Sequence, residues 1–255
     1  MKQTRVIKTI KEMIEWRNSL QSKSVGFVPT MGALHSGHTS LIDQSTKEND
    51  ITILSIFVNP TQFNNPDDLQ KYPQTFDSDY KLACEHNVDI LFFPNFNEMY
   101  PDQYRFKMTE NTFSKLLCGA HRPGHFDGVL SVVMKLFQIT QADKSYFGMK
   151  DYQQFKLIQD MSQAFFLKTQ VIGLPTIREE NGLAKSSRNM RLTPEARNKA
   201  SLIYKTITEI KNKTEAIDFL NQSGFQVEYL EDIENRRYIA VFLEGIRLID
   251  NVSIS

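Results

Sequence analysis

Three short apolar runs, Ser24–Thr30, Ile51–Val58 and Val88–Phe93, are separated by segments of helical periodicity. Their β-branched and aromatic side chains follow one another instead of alternating with polar ones, the pattern of strands buried on both faces. Ser145–Phe147 and residues 168–173 read as two further strands. Residues 9–20, 38–48, 79–86, 128–139 and 151–165 read as helices, the first marked by Ile10, Met13, Ile14 and Arg17. Strands alternating with helices at this spacing predict an α/β fold, a parallel sheet with helices on both faces.

The pattern changes after about residue 176. A polar hinge, Arg178–Arg191, precedes a helix from Pro194 to about Lys213, a shorter one near 214–222, and strands at 225–231, 237–243 and 246–250. The expected organisation is a first domain over residues 1–176 and a small α+β C-terminal domain over 177–255. A chain of 255 residues is long enough for two such cores.

Thirty basic and thirty acidic side chains cancel, which argues against a protein held on nucleic acid or an anionic membrane by bulk charge. A local basic pocket for a phosphorylated small molecule is compatible with that balance. Cys84 and Cys118 lie far apart with no second cysteine nearby, so neither a disulfide framework nor a zinc knuckle is expected. The longest apolar run, Ile51–Val58, is far short of the ~18 residues of a membrane span. Lys8, Lys11, Glu12 and Glu15 interrupt any signal-like stretch. The expectation is a soluble cytoplasmic protein without nucleic-acid or membrane partners.

The chain has no G-x-G dinucleotide turn, no G-K-[ST] phosphate loop, no H-E-x-x-H and no G-x-S-x-G. Its best candidate is Pro29-Thr30-Met31-Gly32-Ala33-Leu34-His35-Ser36-Gly37-His38, joining a strand to a helix where open α/β sheets bind ligands. Gly32 and Gly37 allow backbone to approach a ligand, the helix start favours an anion, and His35 and His38 add donors toward phosphate oxygens. Taken alone the segment also reads as a capped turn with two solvated imidazoles. Lys185-Ser186-Ser187-Arg188 places cations and hydroxyls where they could clamp a polyphosphate, or simply forms a solvated loop. Phe147-Gly148-Met149-Lys150-Asp151 ends a strand; Gly148 permits close approach, Lys150 is a point charge and Asp151 could accept ribose hydroxyls, or could simply favour a helix start. Asn59-Pro60-Thr61-Gln62-Phe63 and Arg122-Pro123-Gly124-His125-Phe126 read singly as turns. Asp77 and Asp79 could support Mg²⁺ beside a polyphosphate, or act as ordinary N-terminal helix charges.

Each signal is weak singly, but their order is not. PTMGALHSGH, FVNPTQF, KYPQT, RPGHFDGV, FGMKDYQQ and SSRN, from about residue 25 to about 192, together resemble the pantothenate synthetase (pantoate–β-alanine ligase) family. The first block is also a form of the HIGH signature and the last a relaxed KMSKS signature, both marks of the wider nucleotidyltransferase superfamily.

The resemblance implies a Rossmann-like ATP- and pantoate-binding domain, a C-terminal lid and commonly a homodimer. It implies attack of pantoate on the α-phosphorus of Mg·ATP, then attack of β-alanine on the pantoyl adenylate. Carried over residue by residue, Met31, Gly32, Ala33, Leu34, His35, Ser36, Gly37 and His38 line the ATP site. His35 and His38 would meet phosphate, with His38 in the proton-donor position. Lys150, Lys185, Ser186, Ser187 and Arg188 would hold phosphates, Gly148, Met149 and Asp151 would lie near the ribose, and Ile177 near adenine. Gln62 and Gln154 match the pantoate-binding glutamines. Asn59, Tyr72, Arg122 and His125 match residues on the pyrophosphate or β-alanine path. No resident metal site is implied beyond the Mg²⁺ carried by ATP.

Three departures stand out: Lys185 where the family usually has methionine, Asn64 where it has glycine after Phe63, and Cys118 in place of an acidic residue. The part beyond about Met190 reads as short for the family. Two other functions compete with the ligase. One is a nucleotidyltransferase that adenylylates a phosphate ester, against which the neutral amides of Gln62 and Gln154 argue. The other is a non-catalytic nucleotide-sensing or RNA-binding module, against which the zero net charge argues for RNA.

Overall fold

The apolar runs form a six-stranded, all-parallel sheet: β1 (Arg5–Ile7), β2 (Val25–Thr30), β3 (Ile51–Ile56), β4 (Ile90–Phe92), β5 (Lys144–Gly148) and β6 (Gln170–Leu174), in spatial order β1-β4-β3-β2-β5-β6. The computed structural model describes residues 3–254. The fold agrees with the α/β expectation. The chain divides into two compact units.

The first unit holds the sheet and comprises residues up to Leu34, His38–Gly148 and Gln153–Leu174. Every side chain of β3 is buried, including the polar Thr52 and Ser55, which is why its sequence shows no alternation of apolar and polar residues. Val28, Leu54 and Leu91 of adjacent strands pack with Leu41 and Ile42 of the helix Ser36–Glu48, Ala83 of the helix Phe76–Glu85, and Tyr146. The sequence pattern did not reveal β1: three residues are too few to show a period, and the strand is placed by pairing Val6 with Leu91. The helix expected over 128–139 runs from His125 to Thr140, because Gly124 at φ +79 ends the preceding turn immediately before it.

The second unit comprises Pro175–Ser255 with two short segments, His35–Gly37 and Met149–Tyr152. Its three antiparallel strands are β7 (Gln226–Ile233), β8 (Arg236–Leu243) and β9 (Ile246–Ser253). Ile239 and Val241 of β8 pack with Ile203, Ile207 and Leu220. The single helix expected from Pro194 to about Lys213 is two, Pro194–Lys199 and Leu202–Glu209. The Ser201 hydroxyl donates to the Asn198 carbonyl at 2.7 Å, competing with the helical ladder at the break. Beyond Glu209 the backbone extends at Ile210, and Asn212 caps the next helix, Lys213–Gln222. No helix among the described residues is long and apolar enough to cross a membrane.

Candidate active site

The strand order reverses at β2, which pairs with β3 on one side and β5 on the other. Such a reversal opens a crevice at the carboxyl ends of the strands, the usual ligand site of an open α/β sheet. All six strands are parallel, so Thr30, Ile56 and Gly148 end at the same edge. Within the first unit, the loops that follow Thr30 and Ile56 carry Met31–Leu34 and Asn59–Gln62, so two of the segments singled out in the sequence leave the sheet at one edge.

Within the first unit, the loop after β2 is built on its own backbone. The Thr30 hydroxyl donates to Ser55 O at 2.7 Å and accepts the Gly32 N–H at 3.1 Å. Gly32 (φ +80) and Ala33 (φ +51) are both left-handed. The Asp79 carboxylate, 2% exposed, accepts the Ala33 N–H at 2.9 Å and the Leu34 N–H at 2.8 Å, and also the Thr75 hydroxyl at 3.0 Å. A β-carbon at Gly32 would lie 3.0 Å from that carboxylate, so both the turn and the close approach require glycine. Asp79 thus holds this loop. Among the described residues no cluster of three or more His, Cys, Asp or Glu side chains is arranged for a metal ion. His38 lies half-buried in the first turn of the helix Ser36–Glu48.

The Asn59–Gln62 turn is held by a network of side-chain hydrogen bonds. Asn59 is 1% exposed; its amide donates to Gln62 Oε1 at 2.9 Å and Gly128 O at 3.2 Å, and its Oδ1 accepts the Thr61 and Tyr100 hydroxyls, each at 3.0 Å. Arg122 and His125 both donate to the main-chain oxygen of Gln62, at 3.1 and 2.8 Å, and are themselves 3.1 Å apart. Asn59, Arg122 and His125 therefore all converge on Gln62, whose own amide reaches Met31 Sδ at 3.3 Å. Tyr72 is buried edge-on against Phe63, ring centres 5.7 Å apart. Asn64, a departure from the family pattern, donates to Pro123 O at 2.6 Å and ties this turn to the Arg122–His125 segment.

The two glutamines that open the helix Tyr152–Ala164 differ sharply. Gln153 is buried, accepts the Cys118 N–H at 3.1 Å and donates to Phe113 O and Leu116 O, both at 2.8 Å. Gln154 is half-buried. The sequence indicated neither Gln153 nor the loop-holding role of Asp79. Their partners are 35–40 and 45–46 residues away, so no local motif marks them. Cys118 is buried at the start of the helix Cys118–His121, where a carboxylate would have to be desolvated.

The second unit gathers parts of three sequence motifs. His35 lies in the field of Lys150, Asp151 and Lys185. Burial, then the charge of Lys150, lowers its pKa to about 4, with Lys185 acting in the same direction and Asp151 opposing. Nδ1 of the neutral ring accepts the Gly37 N–H at 3.1 Å, which leaves the ring proton on Nε2. Lys150 is 3.5 Å from Asp151, and Lys185 is 3.8 Å from Glu179, which also pairs with Arg197 at 2.7 Å. Ser186 caps the 3₁₀ turn Ser187–Arg191 by accepting the Arg188 N–H at 3.3 Å. Lys150, Ser186, Arg188 and Arg247 line one small cleft. Ser36 and Ile177 are exposed, while Met149 and Ser187 are half-buried.

A family model described as pantoate-beta-alanine ligase matches residues 5–253. The chain belongs to the pantoate–β-alanine ligase family. It is 58% identical to a pantothenate synthetase of Bdellovibrio bacteriovorus over 98% of this chain and 100% of that protein. It is 49% identical to one from Legionella pneumophila over 96% and 98%. Among solved structures it is similar to the pantoate-beta-alanine ligase of Francisella tularensis, determined in complex with beta-gamma ATP and beta-alanine (TM-score 0.94, 42% identity, 98% of this chain and 97% of that one). The pantothenate synthetase of Thermus thermophilus is also similar (TM-score 0.88, 36% identity, 98% and 99%). These coverages correct the expectation of a short C-terminal part: the matched ligases are spanned almost entirely.

Proposed function

We propose that this chain condenses pantoate with β-alanine at the expense of ATP, forming pantothenate through a pantoyl-adenylate intermediate and releasing AMP and pyrophosphate. The observation that carries the reading to the residues is the gathering of Lys150, Ser186 and Arg188, from two separate motifs, around one cleft. Membership of the ligase family supplies the substrates.

The chemistry needs no nucleophile from the protein. A carboxylate oxygen of pantoate attacks the α-phosphorus and pyrophosphate leaves; the β-alanine amine then attacks the acyl carbon and AMP leaves. The protein must align reactants and stabilise charge on the triphosphate. Lys150, Lys185 and Arg188 supply fixed cations, and Ser186 and Ser187 supply hydroxyls. His35, neutral at physiological pH, donates through Nε2 without adding a charge. His38 takes the proton-donor role at phosphate. Asp151 and Gly148 meet the ribose, Met149 lies beside it and Ile177 lies near adenine. Gln62 and Gln154 bind pantoate, since a neutral amide serves both its hydroxyls and its carboxylate. Asn59 orients Gln62, whereas Tyr72, Arg122 and His125 serve the pyrophosphate or β-alanine path. Mg²⁺ enters as part of the Mg·ATP substrate. A cytoplasmic homodimer completes the reading.

The test is pantoate-dependent exchange of labelled pyrophosphate into ATP, with Mg²⁺ and without β-alanine. Exchange is expected, and adding β-alanine should turn it into net formation of AMP and pantothenate. Folded protein that binds Mg·ATP but shows no exchange with pantoate would refute the adenylate step. Exchange with a phosphate-ester acceptor instead would move the assignment to a nucleotidyltransferase.

A further inference from the structure

We infer that Asn251 and Asp250, consecutive residues of β9, are positioning residues that set the spacing of the phosphate-binding side chains of the second unit. The inference rests on the function proposed above for Lys150 and the Lys185–Arg188 segment.

Asn251 is 4% exposed, and its side chain is fully committed. Its amide nitrogen donates to two consecutive carbonyls, Met149 O at 3.0 Å and Lys150 O at 2.8 Å. Its Oδ1 accepts from the Arg236 guanidinium. Reversing the amide would set oxygen against two carbonyls and nitrogen against a cation, so one orientation is enforced. The Arg236 guanidinium also lies 3.8 Å from the centre of the Tyr152 ring. The turn carrying Lys150 is therefore held through its main chain and again at the residue that opens the next helix.

Asp250 holds the other segment. Its carboxylate accepts from both terminal guanidinium nitrogens of Arg178, at 2.6 and 2.9 Å, and its Oδ1 also accepts the Asn251 N–H at 2.8 Å. Arg178 reaches Gly182 O at 3.1 Å and stacks 3.7 Å from the centre of the Tyr204 ring. Arg178 pairs with Ala184 across an isolated β-bridge, the base of the loop that delivers Lys185–Arg188. Two neighbours on one strand thus anchor two segments far apart in sequence. The cleft where the segments meet is lined by Lys150, Ser186, Arg188, Asn189, Arg247 and Asp250.

A rigid spacing matters because cations stabilise a polyphosphate only when they are already in place, and a displacement of ~1 Å can cost about 100-fold in rate. Stability alone would not require this design, since buried polar pairs confer little net stability over apolar packing.

The experiment combines Asn251→Ala with Lys150→Ala in a double-mutant cycle, reading kcat and KM for Mg·ATP and pantoate in pyrophosphate exchange, and Mg·ATP affinity by calorimetry. Asn251→Ala is expected to lower kcat/KM for Mg·ATP about 10- to 100-fold, with the pantoate KM unchanged within about twofold. In the Lys150→Ala background it should cost less than about threefold, because the group it positions is gone. Asp250→Asn keeps the side-chain shape and should raise the KM for Mg·ATP about fivefold or more, which keeps the test open if Asn251→Ala does not fold. Unchanged Mg·ATP parameters, additive losses with Lys150→Ala, or equal losses for pantoate and Mg·ATP would overturn the inference. Wild-type protein that binds Mg·ATP without exchange would refute the proposed reaction while calorimetry still tests the positioning. Wild-type protein that does not bind Mg·ATP would overturn both.

Discussion

The carboxylate of Asp79 accepts the main-chain N–H of Ala33, 46 residues earlier in the chain, at 2.9 Å. Ala33 has φ +51, a left-handed conformation that costs a residue with a β-carbon about 1–2 kcal/mol. The same carboxylate takes the next N–H, so the strain is offset where it arises. Asp79→Ala is expected to lower stability by about 2–4 kcal/mol, since it removes a charged acceptor from two amides and a hydroxyl. Exchange activity should fall more than about tenfold through displacement of the loop that leads to His35. Urea unfolding and exchange kinetics on the same preparation check both.

The Asn59 side chain makes four hydrogen bonds, which engage both of its polar atoms within the protein. Its expected contribution is the placing of Gln62. Asn59→Ala should raise the pantoate KM about tenfold or more with a smaller change for Mg·ATP. Tyr100→Phe, which removes one of the four bonds, should cost about 1 kcal/mol of stability and a few-fold in pantoate KM.

Gly128 meets the same turn by shape. A β-carbon there would come within 2.6 Å of Thr61 main-chain atoms and 2.8 Å of the Gln62 nitrogen, all backbone and none able to swing aside. Gly128→Ala is expected to cost about 1–3 kcal/mol by overpacking and to weaken pantoate binding, although alanine favours helix. A higher melting temperature in this variant would contradict the close approach.

His35 gives a pH signature. Its folded pKa of about 4 lies below its ordinary value of 6.5 because of burial, then Lys150. The unfolded chain therefore binds a proton between these values that the folded chain does not. The associated stability is present above about pH 6.5 and is lost as pH falls toward 4. At ~1.4 kcal/mol per pH unit the full window is worth at most about 3–4 kcal/mol. His35→Gln should flatten this part of the stability–pH curve, measured by chemical denaturation at half-unit steps.

The buried strands were legible because residues covered on both faces are mostly apolar and do not alternate, as in Ile51–Ile56 with only Thr52 and Ser55 polar. Arg5–Ile7 was not, since an edge strand of three residues shows no period and is fixed by its partner Leu91. The residues of the HIGH-like loop were legible as a block, yet what holds the block, Asp79, was not. Long-range hydrogen bonds leave no spacing in the sequence, and an aspartate in the first turn of a helix has a sufficient local reason to be there. Gln153 and Gln154 are adjacent and chemically identical; only the fold assigns one to the Phe113–Cys118 segment. The break near Ser201 coincides with a hydroxyl bond to Asn198 O that a helix-forming sequence conceals.

The segments His35–Gly37 and Met149–Tyr152 belong, by packing, with a unit whose main stretch begins only at Pro175. Recombination between relatives at that junction would separate parts that function together. A chimera inheriting β9 from one parent and the Met149–Lys150 turn from the other would set one lineage's asparagine against another's carbonyl geometry. Productive crossovers should therefore exchange residues 35–37, 149–152 and 175–255 as a single cassette, although they are dispersed along the gene.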